Sequence, residues 1–252
     1  MKALRLDYAE FGAGQPLLLL LGFGMGHEDA IELGYAAAMK NRCRLICVSP
    51  RGHGTSPAPG EVSAYGLEAI VSDIAQALDG LQVEKTAVWG YSLGAKLALG
   101  LAAWHPQRVE RMLLGGFETQ SVFSPETDIV LEALRQGGEA WRDLWRRLMP
   151  VPAGMAERLA AADRKALQAL RLAEKEWPDM GSLLGQCEMP VALYAADRCF
   201  ARANMAALAE AHGLACAILP GCDHFSLLAE PARVAAAVNE QIVVLQETER
   251  KP

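Results

Sequence analysis

The chain has 252 residues, of which 52% are hydrophobic, 21% charged and 6% aromatic. A chain of this length buries a large core without disulfide staples, and the composition excludes disordered, collagenous and cysteine-dense secreted scaffolds. A net charge of −6 and a pI near 5.5 argue against a dedicated nucleic-acid binder, because phosphate contact needs a concentrated basic field.

From the N-terminus, Lys2–Asp7, ending in Glu10–Gly14, predicts an antiparallel hairpin strand at a sheet edge. Pro16–Phe23 holds five consecutive leucines, yet it falls far short of the roughly 20 apolar residues of a membrane span. Asp7 and Glu10 and the lack of a small-residue cleavage site also make the start a poor signal peptide. Similar short apolar runs recur at Arg44–Val48, Thr86–Trp89, Arg111–Leu114, Val191–Tyr194 and Leu214–Leu219. Runs of this length, closed by Gly or Pro, suit strands buried on both faces of a parallel sheet.

Helical patterns lie between them. Leu67, Ile70, Val71, Ile74 and Leu78 form one stripe. A second helix is predicted from near Ser92 through Trp104, stopped by His105-Pro106. The alanine-rich Ala201–Ala217 stretch reads as a crossover helix. Pro231 opens a last helix, with Val234, Val238, Ile242 and Leu245 on one face. Repeated strand–helix units of this kind predict an α/β fold with a doubly wound, mostly parallel sheet.

One interval breaks the alternation. Residues 118–186 carry no strand-like run, only helical stripes such as Ile129, Val130, Ala133 and Leu134, and Trp141, Leu144, Trp145 and Leu148. That is too long for an ordinary crossover, so it is expected to be a helical cap inserted into a core formed by residues 1–117 and 187–252. The six cysteines are scattered without metal-ligand spacing and read as free thiols in a reducing compartment, so a cytoplasmic location is expected. No metal or organic cofactor is implied.

Trp89-Gly90-Tyr91-Ser92-Leu93-Gly94 contains GxSxG, a pattern that chance supplies about 0.07 times in this composition. It follows a predicted strand and opens a predicted helix, the setting that lifts a serine hydroxyl out of a sheet. A neutral serine is a weak nucleophile and needs a base within reach and a third group to orient that base. Further pieces are Leu21-Gly22-Phe23-Gly24 after one strand, Arg51-Gly52-His53-Gly54-Thr55-Ser56 after the next, His105-Pro106 with Arg108-Val109, and a late Asp and His.

In these motifs the chain resembles the α/β-hydrolase family over nearly its full length. The resemblance implies a serine hydrolase whose nucleophile, acid and base follow in that order. It places the base at His224, in the loop after the last strand, in preference to His27, His53, His105 and His212. Asp197, after the strand Val191–Tyr194, looks like the family's acid, although a turn residue or a partner for Arg198 is the plainer reading. Glu118 is the alternative acid. The backbone N–H groups of Leu93 and, by resemblance, Phe23 would form the oxyanion hole. Leu21 and Ser49 depart from a frequent histidine and aspartate of the family, a change expected at the mouth of the site.

The expected substrate is a small-molecule ester, thioester or lactone held between sheet and cap by Tyr91, Trp141, Trp145 and Phe225. The two tryptophans could equally belong to the core of the cap. A serine rather than an aspartate at the elbow argues against epoxide-hydrolase or dehalogenase chemistry. C–C bond hydrolysis, lyase or perhydrolase chemistry on the same triad, or a ligand-binding receptor of this fold, are the competing readings.

Overall fold

The computed structural model describes residues 4–236. Seven strands form one sheet: β1 (Asp7–Phe11), β2 (Pro16–Leu20), β3 (Arg44–Ser49), β4 (Thr86–Tyr91), β5 (Val109–Gly115), β6 (Val191–Ala196) and β7 (Ala215–Leu219). Their spatial order is β1-β3-β2-β4-β5-β6-β7, and every pairing is parallel except β1 with β3. The apolar runs thus mark the strands to within three residues at either end. Covered on both faces, the interior strands β2, β3, β4 and β6 are almost wholly buried, which is why they read as continuous apolar runs.

Two expectations about the edges are corrected. The first strand covers Asp7–Phe11 and pairs with β3 rather than folding back on β2, so it is an edge strand but not half of a hairpin. Its register sets Glu10 against Ile46, and the Glu10 carboxylate pairs with Arg44 at 2.6 Å. At the opposite edge, β7 has a neighbour on one side only and is half exposed, not buried on both faces.

The helices fill the crossovers. After β2 come α1 (His27–Glu32) and α2 (Tyr35–Met39), and after β3 comes α3 (Leu67–Gly80), which buries the predicted stripe of Leu67, Ile70, Val71, Ile74 and Leu78. The helix after β4 is α4 (Leu93–Trp104), buried along ten of its twelve residues because it packs on both the sheet and α3. Between β5 and β6 run α5 (Ile129–Gln136), α6 (Gly138–Leu148), α7 (Ala153–Ala161), α8 (Arg164–Ala173) and α9 (Met180–Leu184). Within α6, Trp141, Leu144 and Trp145 are buried as the stripe requires. In α5 the stripe is shifted: Leu131, Ala133 and Leu134 are buried, while Ile129, in the first turn, is exposed.

The crossover from β6 to β7 is α10 (Arg202–His212), shorter than the alanine-rich run because Gly213 takes a left-handed φ of 62° and stops it. A helix fills 231–236, where Val234 is buried; Val238, Ile242 and Leu245 lie outside the described residues. Among the described residues no helix is long and apolar enough to cross a membrane.

Charged contacts tie the helices between β5 and β6 to α1, to α4 and to one another. Arg158 of α7 donates to Asp29 of α1 at 2.8 Å and lies 3.2 Å from Glu32. Lys96 of α4 sits 3.3 Å from Glu174, which also receives Arg171 at 3.1 Å, and Arg171 in turn holds Asp128 at 2.9 Å. Asp29, Lys96, Asp128 and Glu174 are buried, so removing the partner of one of them would strand a buried charge, a cost of several kcal/mol.

Candidate active site

β4 ends at Tyr91 and α4 begins at Leu93, leaving Ser92 alone at the turn with φ 56° and ψ −117°. A non-glycine residue held there costs on the order of 1–3 kcal/mol, which the surroundings must offset. Part of that support is the Ser92 N–H, which donates to Gly115 O at 2.8 Å. The turn can close only because its neighbours lack side chains. A Cβ on Gly90 would lie 2.5 Å from Gly94 O, and one on Gly94 would lie 1.9 Å from Leu20 O.

At this turn the Ser92 hydroxyl lies 3.2 Å from His224 Nε2. His224 comes from the loop after β7, 132 residues further along the chain. Its ring packs against Phe200, Phe225 and Tyr91, with centroids 4.4, 4.9 and 5.0 Å away. Burial pushes its pKa down to about 4, with the Asp223 charge opposing, so the imidazole is neutral at pH 7 and has a lone pair to offer. Leu93 opens α4, so its N–H has no carbonyl one turn behind it and is available to an anion at the helix's positive end. Phe23 follows β2 and lines the same cavity as Ser92 and His224.

Asp197 is placed differently from expectation. Its N–H still donates to Leu219 O at 2.9 Å, in step with the β6–β7 pairing, and its two carboxylate oxygens accept from the amides of Gly221 at 2.9 Å and Cys222 at 3.1 Å. The Gly221 amide first, then the Cys222 amide and Arg198, hold its carboxyl below the usual value against partial desolvation. It fastens the loop that carries His224, and among the described residues no hydrogen bond joins it to the imidazole. Glu118 is exposed, and among the described residues no hydrogen bond joins it to His224 either. The atoms beside His224 Nδ1 are Cys199 Sγ at 3.3 Å and the Tyr91 hydroxyl at 3.5 Å. Nothing in the sequence pattern singled out Cys199; it reaches the site because the chain turns after Asp197, closed by the Cys199 N–H to Ala196 O bond of 3.1 Å.

Ser92 and His224 open onto a cavity of about 150 Å³. Trp141, Trp145 and Phe225 line it, together with Val130, Phe200 and Leu228. The indole N–H groups of both tryptophans are buried without a recorded acceptor. Tyr91 does not line the cavity: as the last residue of β4 it is buried beneath His224, stacked on Tyr194 at 5.7 Å, and its hydroxyl donates to His224 O at 2.6 Å. Ser49 and Leu21 are also buried away from the cavity, and the Ser49 hydroxyl accepts from the His27 amide at 2.9 Å, so neither shapes the mouth. His53 is buried beside Arg51, its pKa pushed to about 4 by burial, and its ring edge faces Phe23 at 6.2 Å. Among the described residues no group of three His, Cys, Asp or Glu side chains could hold a metal ion.

The chain is similar to known proteins in sequence and in fold. The sequence model of the family described as alpha/beta hydrolase fold matches residues 15–176. Epoxide hydrolase 4 of Mus musculus is 28% identical over 174 residues, which is 66% of this chain and 45% of that protein. A pimeloyl–acyl-carrier-protein methyl ester esterase of Aeromonas hydrophila is 36% identical over 103 residues, covering 41% of this chain and 38% of the relative. The matched stretches thus span less than half the length of these curated relatives. Among solved structures, the enol-lactonase from Burkholderia xenovorans superposes with a TM-score of 0.81 at 21% identity, covering 94% of this chain and 96% of that one.

Proposed function

We propose, for a chain that belongs to the alpha/beta hydrolase fold family, a serine hydrolase activity on small carboxylic esters, thioesters or lactones. The observation that carries this reading is the 3.2 Å contact of Ser92 Oγ with a neutral, buried imidazole at a strained turn that faces an apolar cavity. His224 Nε2 takes the hydroxyl proton as Oγ bonds to the acyl carbon. The imidazolium then returns that proton to the leaving oxygen or sulfur as its bond to the acyl carbon breaks. Water, deprotonated by the same nitrogen, releases the acid and restores Ser92. The amides of Leu93 and Phe23 are assigned to the negative oxygen; one such donor is worth on the order of 3 kcal/mol.

Size supports a small acyl group, because cavities near 150 Å³ accept guests about as large as benzene. Residues 118–186 serve as the cap that closes this cavity with Trp141 and Trp145. Esterase and lactonase relatives favour acyl chemistry, and a serine rather than a carboxylate at the turn disfavours the chemistry named for the epoxide hydrolases. Fluorophosphonate labelling with peptide mapping tests the reading: the adduct is expected on Ser92 and lost in Ser92→Ala. Folded protein that takes no label would refute it.

A further inference from the structure

Among the described residues, His224 Nδ1 faces no carboxylate. The acidic side chains nearest the loop are committed elsewhere: Asp197 to the Gly221 and Cys222 amides, and Asp223, through one carboxylate oxygen, to the amides of Phe225 at 3.0 Å and Ser226 at 2.7 Å. Glu118 is exposed. The polar atoms recorded within reach of Nδ1 are the Cys199 thiol at 3.3 Å, from the turn after β6, and the Tyr91 hydroxyl at 3.5 Å, from the end of β4.

The tyrosine fixes which way the proton sits. Its single hydroxyl hydrogen is donated to the His224 carbonyl at 2.6 Å, so toward Nδ1 the phenol oxygen can only accept. A ring nitrogen facing a lone pair carries the hydrogen, and a neutral imidazole has one hydrogen. Nε2 is therefore bare and faces Ser92, the tautomer that proton abstraction needs. Sulfur at 3.3 Å takes the larger share of the Nδ1–H, because it is the closer of the two atoms.

Resting on the serine hydrolase reading above, we propose that Cys199, flanked by Tyr91, is the positioning residue of the site: its sulfur accepts the Nδ1–H of His224 where a carboxylate would otherwise orient the base. The thiol is neutral at pH 7, since burial, opposed by the Ala201 amide and aided by the charges of Glu118 and Asp223, pushes its pKa up. The imidazolium formed during turnover consequently meets a weak, uncharged acceptor. Two consequences follow. The enzyme is slower than a site of the same geometry with a carboxylate, and its base remains neutral to lower pH.

The test compares Cys199→Ala, Cys199→Ser, Cys199→Asp and Asp197→Asn by steady-state hydrolysis of p-nitrophenyl acetate across pH, with fluorophosphonate labelling of each protein. Cys199→Ala is expected to lower kcat about tenfold with KM within about twofold, and Cys199→Ser to recover part of the loss, because a hydroxyl also accepts. Cys199→Asp is expected to raise kcat at least about tenfold near pH 8 and to move the acidic limb of the profile up by about two pH units, since a carboxylate favours the imidazolium. Asp197→Asn, which retains one acceptor for the loop amides, is expected to cost less kcat than Cys199→Ala. Nitrogen NMR of labelled histidine reports the tautomer independently of turnover and should show Nδ1–H in the unaltered protein. Unchanged kcat in Cys199→Ala, an unmoved acidic limb in a folded Cys199→Asp, or a larger loss in Asp197→Asn would each overturn the assignment to Cys199. If Cys199→Asp does not fold, the alanine and serine variants and the NMR spectrum still decide. Failure of the unaltered protein to label at Ser92 would instead overturn the serine hydrolase reading.

Discussion

Gly94→Ala probes how closely contact holds the turn at Ser92. The new Cβ would lie 1.9 Å from Leu20 O, 2.4 Å from Leu20 C and 2.7 Å from Leu21 O. Ordinary contact begins near 3.4 Å, so β2 and the start of α4 must separate by about 1.5 Å along that line. β2 cannot yield cheaply, because it is paired with β3 on one side and β4 on the other. The helix start must move instead, carrying the Leu93 amide and the Ser92 hydroxyl with it. Overpacking of this kind costs on the order of 1–3 kcal/mol, and a displacement of about 1 Å at reacting groups can cost 10²-fold in rate. Denaturant unfolding and the rate constant of fluorophosphonate labelling measure the two effects. Gly100→Ala, on the same helix, is the control: its Cβ would meet the buried side chain of Leu67 at 2.8 Å, so it also overpacks, but it does so two turns away from Ser92. The expected result is a labelling rate at least about 10²-fold lower in Gly94→Ala and little changed in Gly100→Ala. A Gly94→Ala protein that labels at the unaltered rate and unfolds at the unaltered midpoint would refute the packing argument.

Three further outcomes are expected. Because burial sets the His224 pKa near 4, the acidic limb of kcat/KM should have its midpoint well below the ordinary histidine value of about 6.5; a midpoint at or above that value would contradict the burial. His53, buried with a pKa also near 4, binds its proton less readily folded than unfolded. Its contribution to stability is present above about pH 6.5 and is lost as pH falls toward 4, by on the order of 3 kcal/mol. His53→Leu should therefore flatten urea midpoints measured over that range, and parallel curves would show that His53 is not responsible. Trimming Trp141 or Trp145 to alanine should shift the preferred p-nitrophenyl ester to longer acyl chains, since both rings line the 150 Å³ cavity; an unchanged chain-length profile with lower stability would make them core residues only.

The layered architecture was legible because parallel strands covered on both faces must be apolar along their whole length, as Pro16–Leu20 and Arg44–Ser49 are. Helical periodicity likewise exposed α3 and α6, whose apolar stripes face one way. The turn around Ser92 was legible for a local reason: the two glycines that let strand and helix approach lie within two residues of the serine they present. The edges were less so, since whether β1 pairs with β2 or β3 depends on which ladder is open, and no residue in Asp7–Phe11 encodes that.

The group that orients His224 belongs to the second class. Asp197 has the chemistry for that role and sits at the end of the right strand, yet its direction depends on the β7 ladder, which claims its N–H, and on the Gly221 and Cys222 amides, which claim its oxygens. Cys199, two residues later, reads in the sequence as one of six scattered free thiols, and only the closing of the turn brings its sulfur to Nδ1. By itself the sequence determined the sheet, the run of helices between β5 and β6 and the serine turn, because each depends on residues close together in the chain. The tertiary structure decided which atoms surround the imidazole, because those come from β4, from the turn after β6 and from the loop after β7, and their distances are fixed only when the strands pair.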